Sequence, residues 1–199
     1  MSIRKLRLHL LRLAFAPVVF IAIFVRPSWS IESTAAFVIE ACGYLFLLSG
    51  LLIRIWCTFY IGGQKSKELV SYGPYSLCRN PLYMGTFILS IGAALCFENL
   101  LMLLLVPAII VPVHTIVTRM EEIHLEHVFG EQYLSYKQKV PRFWPNFSNY
   151  NSPDSLNVNV HAIQRIAADT LGVLLLPEIE DLLEVLHHHG IVPVLWYFP

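Results

Sequence analysis

Long apolar runs separated by short polar segments dominate this chain. Four runs approach or reach the length of a membrane helix, at residues 8–25, 35–53, 82–97 and 100–117. Because a helix needs roughly 20 apolar residues to cross a bilayer core, we interpret them as about four transmembrane helices. Only Glu98 and Asn99 separate the last two runs, which predicts an antiparallel helical hairpin. A signal peptide is the alternative for the first run, although the residues after it carry a weak cleavage-site pattern.

The composition also favours a membrane protein. Apolar residues make up 56% of the chain and charged residues 14%, whereas average globular chains contain about 25% charged residues. The net formal charge is zero, so nothing in the charge favours a nucleic-acid partner. The four cysteines form no Cys-x-x-Cys pair, which favours free thiols over disulfides or a metal site.

Basic residues are concentrated on one side of the predicted helices. They occur at residues 1–12, 64–79 and 119–142, whereas the segments at 26–34 and 98–99 carry a single arginine between them. Loops rich in Lys and Arg stay on the cytoplasmic side of a membrane. We therefore expect the N-terminus, the loop before the third run and the segment after the hairpin to be cytoplasmic.

The last third of the chain is predicted to be helical. The fourth run continues as a helix from Arg119 to Lys139, with a break at Gly130. A linker rich in Asn and Ser follows at residues 148–159. Residues 161–189 then have a helical apolar period with a break at Pro177 and an acidic second half, which favours an amphipathic helix lying along the bilayer. A fifth, tilted membrane segment is the alternative.

The polar, aromatic stretch before the third run is the candidate for chemistry. Gly73 and Pro74 predict a turn. Asn80 and Pro81 predict a helix start, because Asn is a good N-cap and Pro suits the first helical position. Arg79 then stands at a helix N-terminus, where an anionic ligand group is favoured. An interfacial turn that only caps a membrane helix is the alternative.

Three groups of motifs occur in order around the hairpin. They are Lys67-Glu-Leu-Val with Gly73-Pro-Tyr, Arg79-Asn-Pro-Leu-Tyr-x-Gly85, and Glu121-Glu-x-x-Leu125 with Phe129-Gly-x-x-Tyr133-x-x-Tyr136 and Val140-Pro-Arg-Phe-x-Pro145. Together they resemble the isoprenylcysteine carboxyl methyltransferase family and, more loosely, the phospholipid N-methyltransferases. The resemblance extends from about Gly62 to Phe147.

The resemblance implies an all-α, polytopic integral-membrane enzyme that transfers a methyl group from S-adenosyl-L-methionine to a lipophilic acceptor entering from the bilayer. We divide the chain into N-terminal transmembrane helices at residues 1–60, a methyltransferase core at 61–147 that the resemblance covers, and a linker with an amphipathic or membrane-associated C-terminal helix at 148–199, which the resemblance does not explain. The cofactor would lie in a cytoplasmic pocket between the loop, the hairpin ends and the following helix. By position in the motifs, its contacts would be Lys67, Glu68, Leu69, Val70, Tyr75, Asn80, Pro81, Leu82, Tyr83 and Glu121.

Arg79, Glu121 and Glu122 are the candidate catalytic residues. A guanidinium at a helix N-terminus suits a carboxylate, and Glu121 is a candidate acceptor for the cofactor's amino or hydroxyl groups. A carboxylate acceptor would need no general base, whereas an amine would need deprotonation by Glu121, Glu122 or His114. Carboxyl O-methylation and amine N-methylation therefore both stay open.

Two positions depart from the prenylcysteine enzymes. Asn80 stands where they usually carry His, and Val117 stands where they carry an Arg. We therefore expect a different acceptor in or near the bilayer. One rival is a sterol-reductase-like enzyme that uses NADPH, because those proteins share the Arg-x-Pro-x-Tyr-x-Gly pattern, although they are generally longer. The other rival is a non-catalytic membrane protein that kept the fold. The sequence leaves the oligomeric state open.

Overall fold

A computed structural model describes residues 16–27, 34–62 and 68–198. Its helices, with two short strands and one 3-10 turn, follow in chain order. They are α1 (residues 16–24), β1 (Val25–Pro27), α2 (Thr34–Ile61), α3 (Pro74–Leu77), α4 (Pro81–Cys96), α5 (Leu100–Phe129), α6 (Glu131–Lys139), the 3-10 turn Phe147–Asn149, α7 (Val160–Leu174), α8 (Leu176–His188) and β2 (Trp196–Phe198). The described part of the chain is therefore mainly helical, as predicted.

Two of the described helices are long and apolar enough to cross a membrane. They are α2, with 28 residues, and α5, with 30 residues. Helix α4 is apolar but has 16 residues, and the first half of the first predicted run, residues 8–15, lies outside the described residues. Length and composition thus support two spanning helices, and the prediction of about four is supported only in part.

The predicted hairpin is confirmed in its turn and its two arms. Helix α4 ends at Cys96 and α5 begins at Leu100. The Asn99 side chain accepts a hydrogen bond of 2.9 Å from the backbone N–H of Leu101, so it caps α5. Glu98 in the turn has a φ of 47°, in the left-handed region.

Helices α2 and α4 approach each other through paired glycines. Gly43 and Gly50 on α2 face Gly92 and Gly85 on α4, and both pairs have the same sequence separation. A Cβ placed on Gly50 would lie 2.8 Å from the carbonyl oxygen of Gly85, and one on Gly92 would lie 2.8 Å from that of Gly43. Small residues let helix backbones approach this closely. This contact fixes α4, and with it the loop that precedes α4.

The C-terminal helices run along the α2–α4 pair. Helix α7 begins beside Gly62, at the end of α2. Val173 and Leu174, at the end of α7, pack against Leu47, Leu89 and Cys96. Helix α8 then reaches the N-terminal segment at the opposite end, where Glu184 pairs with Arg26. The predicted split at Pro177 is confirmed, since this residue lies in the first turn of α8.

Helices α7 and α8 together extend from the loop end of α2 to the hairpin-turn end of α4. Their course relative to the bilayer stays a prediction. The strand β2 ends this course by pairing in parallel with β1, with Val25 opposite Trp196. The apolar period of the sequence identified α7 and α8 as helices. It did not identify the residues on α2 and α4 against which α7 packs.

We expect Gly50→Ala to lower stability and Gly172→Ala to leave it unchanged or raise it. A methyl group at Gly50 would meet the Leu89 backbone nitrogen at 2.7 Å, whereas one at Gly172 meets nothing within 4 Å. Overpacking costs about 1–3 kcal/mol, and replacing an open helical Gly by Ala gains up to about 1 kcal/mol. Thermal unfolding of both variants in detergent is the measurement. Equal melting temperatures would contradict the close helix contact.

Candidate active site

A cavity of about 540 Å³ lies between the loop before α3, the start of α4, the second half of α5, and helices α6 and α7. This volume is in the range of small-molecule sites. The cavity gathers most of the residues predicted to bind a cofactor. Those that line it are Glu68, Leu69, Val70, Tyr75, Asn80, Leu82, Tyr83 and Glu121.

The remaining predicted residues fall into two groups. Pro81 is buried at the first turn of α4 but does not line the cavity. Lys67 lies outside the described residues. The three predicted catalytic residues, Arg79, Glu121 and Glu122, all line the cavity.

A buried carboxylate, Glu122, joins three segments of the chain. It is 5% exposed. One oxygen accepts a hydrogen bond of 3.0 Å from the side-chain amide of Asn80, and Arg142 Nε donates to both oxygens at 3.1 and 3.2 Å. The Nε of Arg79 lies 3.6 Å from the same carboxylate. Two guanidinium groups and an amide donor hold this carboxylate in its ionised form.

This network changes the interpretation of Arg79 and Glu122. The sequence predicted that Arg79 and the N-terminus of α4 would hold an anionic ligand. The structure instead places the protein's own Glu122 carboxylate there, and Arg79 also donates to the carbonyl of Lys137 at 3.3 Å. Both residues therefore fit a positioning role better than contact with a substrate.

The predicted side-chain cap at Asn80 is wrong. Helix α4 does begin at Pro81 as predicted, but Asn80 makes no side-chain hydrogen bond to the first turn. Its amide donates to Glu122 and to the carbonyl of Arg142 instead. An N-cap would use the Asn80 side-chain oxygen as acceptor. The bonds from the amide nitrogen orient the side chain toward Glu122, and its oxygen does not cap the first turn of α4.

The segment after α6 holds the loop before α4 in place. The backbone N–H of Arg79 donates to the carbonyl of Pro141 at 2.8 Å, and that of Asn146 donates to the carbonyl of Leu77 at 2.9 Å. The Tyr136 hydroxyl donates to the carbonyl of Tyr75 at 2.7 Å. The predicted turn at Gly73 has a φ of 60° and packs directly against Tyr60, so it accepts no side chain. The cavity wall is thus fixed by contacts distant in sequence.

Tyr83 and Glu121 meet in the wall of the cavity. The Tyr83 hydroxyl donates to the Glu121 carboxylate at 2.7 Å. The His114 ring lies edge-on to the Tyr83 ring, with centroids 5.4 Å apart, and His114 Nδ1 lies 3.0 Å from the carbonyl oxygen of Ile110. These contacts orient an aromatic face and a carboxylate toward the same space.

Two buried phenols line the cavity without a hydrogen-bond partner among the described residues. They are Tyr75, which is 6% exposed, and Tyr133, which is 1% exposed. Burial raises the pKa of Tyr133 to about 12 and raises that of Tyr75 well above its ordinary value, so both hydroxyls stay protonated at neutral pH. Buried polar groups are normally paired. A polar ligand in the cavity would supply the missing acceptors.

Several residues of the cavity lie outside the predicted set. Arg54, Thr86, Ser90 and Thr170 line it from α2, α4 and α7. The charge of Arg54 inside an apolar run was a visible signal. Thr170 gave no such signal, because the sequence did not show that α7 passes this cavity.

We expect Glu122→Gln to destabilise the protein strongly. It leaves Arg79 and Arg142 without their counter-charge, and breaking a buried pair in this way costs about 3–5 kcal/mol. Glu126→Gln is the matched control, because Glu126 pairs with Lys137 at 3.1 Å on the surface, where a pair contributes about 0–1 kcal/mol. Thermal unfolding compares the two variants. A Glu122→Gln protein as stable as the control would show that the network is dispensable.

Comparison with known proteins places the chain in a family. The family model described as phospholipid methyltransferase matches residues 33–132. A nickel-cobalt-cadmium resistance protein of Alcaligenes xylosoxydans xylosoxydans is 29% identical over 92% of this chain and 85% of its own length. A cobalt-zinc-cadmium resistance protein of Cupriavidus metallidurans is 32% identical over 70% of this chain and 64% of its own.

The protein-S-isoprenylcysteine O-methyltransferase of Rattus norvegicus is 33% identical over 54% of this chain and 41% of its own length. The match thus spans less than half of that relative. No solved structure matches the chain. The family model covers the loop, the hairpin and the first two residues of α6, which carry the first two groups of predicted motifs, part of the third and most of the residues that line the cavity. The resemblance inferred from those motifs is confirmed, and the chain belongs to the phospholipid methyltransferase family.

Proposed function

We propose that this protein is an integral-membrane methyltransferase that uses S-adenosyl-L-methionine and acts on a lipid-like acceptor. The observation that carries the proposal is the cavity itself. Its wall carries two buried phenols, which have no hydrogen-bond partner among the described residues, and the Tyr83–Glu121 pair. Tyr75, Tyr83 and Glu121 lie within the residues that the family model matches. The membrane part of the proposal draws on the family and on the length and apolar character of α2 and α5.

The residues present fit the cofactor. Leu69 and Val70 are buried and offer an apolar wall to a nucleoside base. The hydroxyls of Tyr75 and Tyr133 are donors for its ring nitrogens, ribose oxygens or carboxylate. Glu121 is an acceptor for its hydroxyl or amino groups. S-adenosyl-L-methionine supplies an electrophilic methyl group on a positively charged sulfur when bound.

In methyl transfer the protein mainly has to align the acceptor with the cofactor's methyl group and exclude water. The Tyr83 ring is 9% exposed and its position is fixed by Glu121 and His114, so its face suits a sulfonium charge. The Glu122 network fixes the start of α4, which carries Tyr83. A carboxylate acceptor needs no base here. For an amine acceptor, Glu121 is the candidate that receives the proton.

The cytoplasmic orientation is part of the proposal. It rests on the distribution of basic residues, which places the loop and the post-hairpin segment on the inner side. Residues of these segments line the cavity, so we infer that the soluble cofactor enters from the cytoplasm and the acceptor from the bilayer.

A metal centre is not included in the proposal, although two relatives are named as metal-resistance proteins. Within the described ranges, Glu180, Asp181 and Glu184 bring carboxylate oxygens within 4.8 Å of one another. Arg26 Nη2 lies 3.7 Å from Glu184 Oε1, so a protein cation already faces this cluster.

We expect the parent protein to bind S-adenosyl-L-methionine, and Tyr75→Phe and Tyr133→Phe to weaken binding by about tenfold each. A lost hydrogen bond in a buried site is worth about 1–1.5 kcal/mol. Tyr197→Phe is the control, because this residue is exposed at the C-terminus. Isothermal titration calorimetry on detergent-purified protein measures the four affinities.

The same titration separates the rival functions. Binding of NADPH with no binding of S-adenosyl-L-methionine would favour the reductase-like alternative. A well-folded protein that binds neither would favour a non-catalytic role. Phenylalanine variants that bind S-adenosyl-L-methionine as tightly as the parent would refute the placement of the cofactor in this cavity.

A further inference from the structure

Three exposed aromatic side chains follow one another at every third position after α6. They are Trp144, Phe147 and Tyr150, with exposed fractions of 87%, 75% and 51%. Phe147 begins the 3-10 turn, in which side chains three positions apart lie on the same side, so Phe147 and Tyr150 share a face. Aromatic side chains carry large apolar surfaces, and an exposed group of them marks a contact surface for a protein or a membrane.

The segment that carries these side chains, residues 143–150, lies beside the membrane helices. The Phe143 ring contacts the Phe87 ring on α4, with centroids 6.0 Å apart. The Tyr150 ring lies 6.4 Å from the Trp56 ring on α2. Phe87 comes six residues after the start of α4, and Trp56 comes five residues before the end of α2. At 1.5 Å per residue, the two contacts lie about 9 and about 7.5 Å inside these helix ends.

These two helix ends are on the same side of the molecule. The contacts of Gly43 with Gly92 and of Gly50 with Gly85 show that α2 and α4 are antiparallel. Helix α2 therefore ends where α4 begins. The segment 143–150 thus crosses both helices at a similar depth.

The length of α2 relates this depth to the bilayer. Its 28 residues extend over about 42 Å. A whole bilayer is roughly 40–45 Å thick, of which the hydrocarbon core takes about 30 Å. A centred α2 then has about 6 Å of helix in the head-group layer at each end. Contacts about 7.5–9 Å inside the helix ends fall at the boundary between head groups and acyl chains, where Trp and Tyr are enriched in membrane proteins.

The backbone of the segment suits this boundary because most of its donors are already paired. From Asn146 to Tyr150, four of the five N–H groups donate hydrogen bonds within the protein. That of Asn146 donates to the carbonyl of Leu77 at 2.9 Å, and three others donate within the turn at 3.1–3.2 Å. Pro145 has no N–H group. A backbone with few free donors loses little when lipid replaces water around it.

We propose that Trp144, Phe147 and Tyr150 form a docking surface for the bilayer interface on the side of the loop before α4. Their rings lie at the level of the lipid head groups and the outermost acyl carbons. The inference rests on the membrane location in the proposed function and goes beyond it, because this segment does not span the bilayer. The loop to which Asn146 is bonded lines the cavity, so the lipid contact sets the depth of the cavity in the bilayer.

The test measures the depth of Trp144 by fluorescence quenching in phosphatidylcholine vesicles that contain the full-length protein. The other tryptophans, Trp29, Trp56 and Trp196, are replaced by Phe. The lipids carry bromine either near the head group or near the chain end, and iodide is the quencher in water. The matched control carries Trp144→Phe in addition, together with Gln132→Trp. Gln132 is exposed on α6, which follows the roughly 45 Å of α5 and so begins beyond the hydrocarbon core.

We expect bromine near the head group to remove more of the Trp144 fluorescence than bromine near the chain end. Iodide should remove less of it than of the fluorescence of the Gln132→Trp control, and the Trp144 emission should be shifted to shorter wavelength, because the indole ring leaves bulk water. If the background without the other tryptophans fails to fold, the difference in bromine quenching between the parent and Trp144→Phe measures the same depth.

Three results would overturn the inference. Iodide quenching equal to that of the control, without quenching by bromine, would place Trp144 in water. Strongest quenching by bromine near the chain end would place it in the hydrocarbon core. Protection from both quenchers would mean that protein, such as a second copy of the chain, covers the surface.

These readouts are independent of the proposed methyl transfer. A protein that binds no S-adenosyl-L-methionine but shows the expected depth of Trp144 would refute the proposed activity and keep the docking surface. A protein that transfers methyl groups while Trp144 lies in water would refute the docking surface alone.

Discussion

The buried carboxylate of Glu122 is the interaction on which the site depends. It lies on α5, yet its partners come from the loop before α4 and from the segment after α6. Ionised and 5% exposed, it would be costly to bury without these partners. The pairing therefore enforces one arrangement of three segments that are distant in sequence, and the cavity lies between them.

A second constraint acts along α4. The glycine pairs bring the backbones of α2 and α4 closer together than a side chain at these positions would allow, and α7 packs against the same two helices. Arg54 and Thr86, which line the cavity, lie on these two helices. The helix contact that stabilises the fold therefore also sets the shape of one wall of the cavity.

Local chemistry predicted much of this molecule. The turn at Gly73, the start of α4 at Pro81 and the break at Pro177 follow from residues whose backbone preferences are strong, and each is observed. Eight of the ten residues that the motifs predict as cofactor contacts line the cavity. These are the parts of the structure that short sequence windows determine.

Contacts between residues that are distant in sequence could not be predicted from short sequence windows. Asn80 is a residue type that often caps helices, but its amide nitrogen donates to Glu122, which lies 42 residues later in the chain. Helix α7 packs against Leu47, Leu89 and Cys96, and the apolar period of α7 does not identify these partners. Arg79 and Glu122 illustrate the same limit, since a charged residue in a motif does not reveal whether its partner is a ligand or another side chain.

Methyl transfer itself tests the central claim most directly. Purified protein is incubated with S-adenosyl-L-methionine labelled in its methyl group and a total lipid extract of the host membrane, beside the Tyr83→Ala variant. The account predicts label in the organic phase for the parent and its loss in the variant, because Tyr83 lines the cavity and is held in place by Glu121 and His114. Equal labelling by both proteins, or none by a folded parent that binds the cofactor, would contradict it.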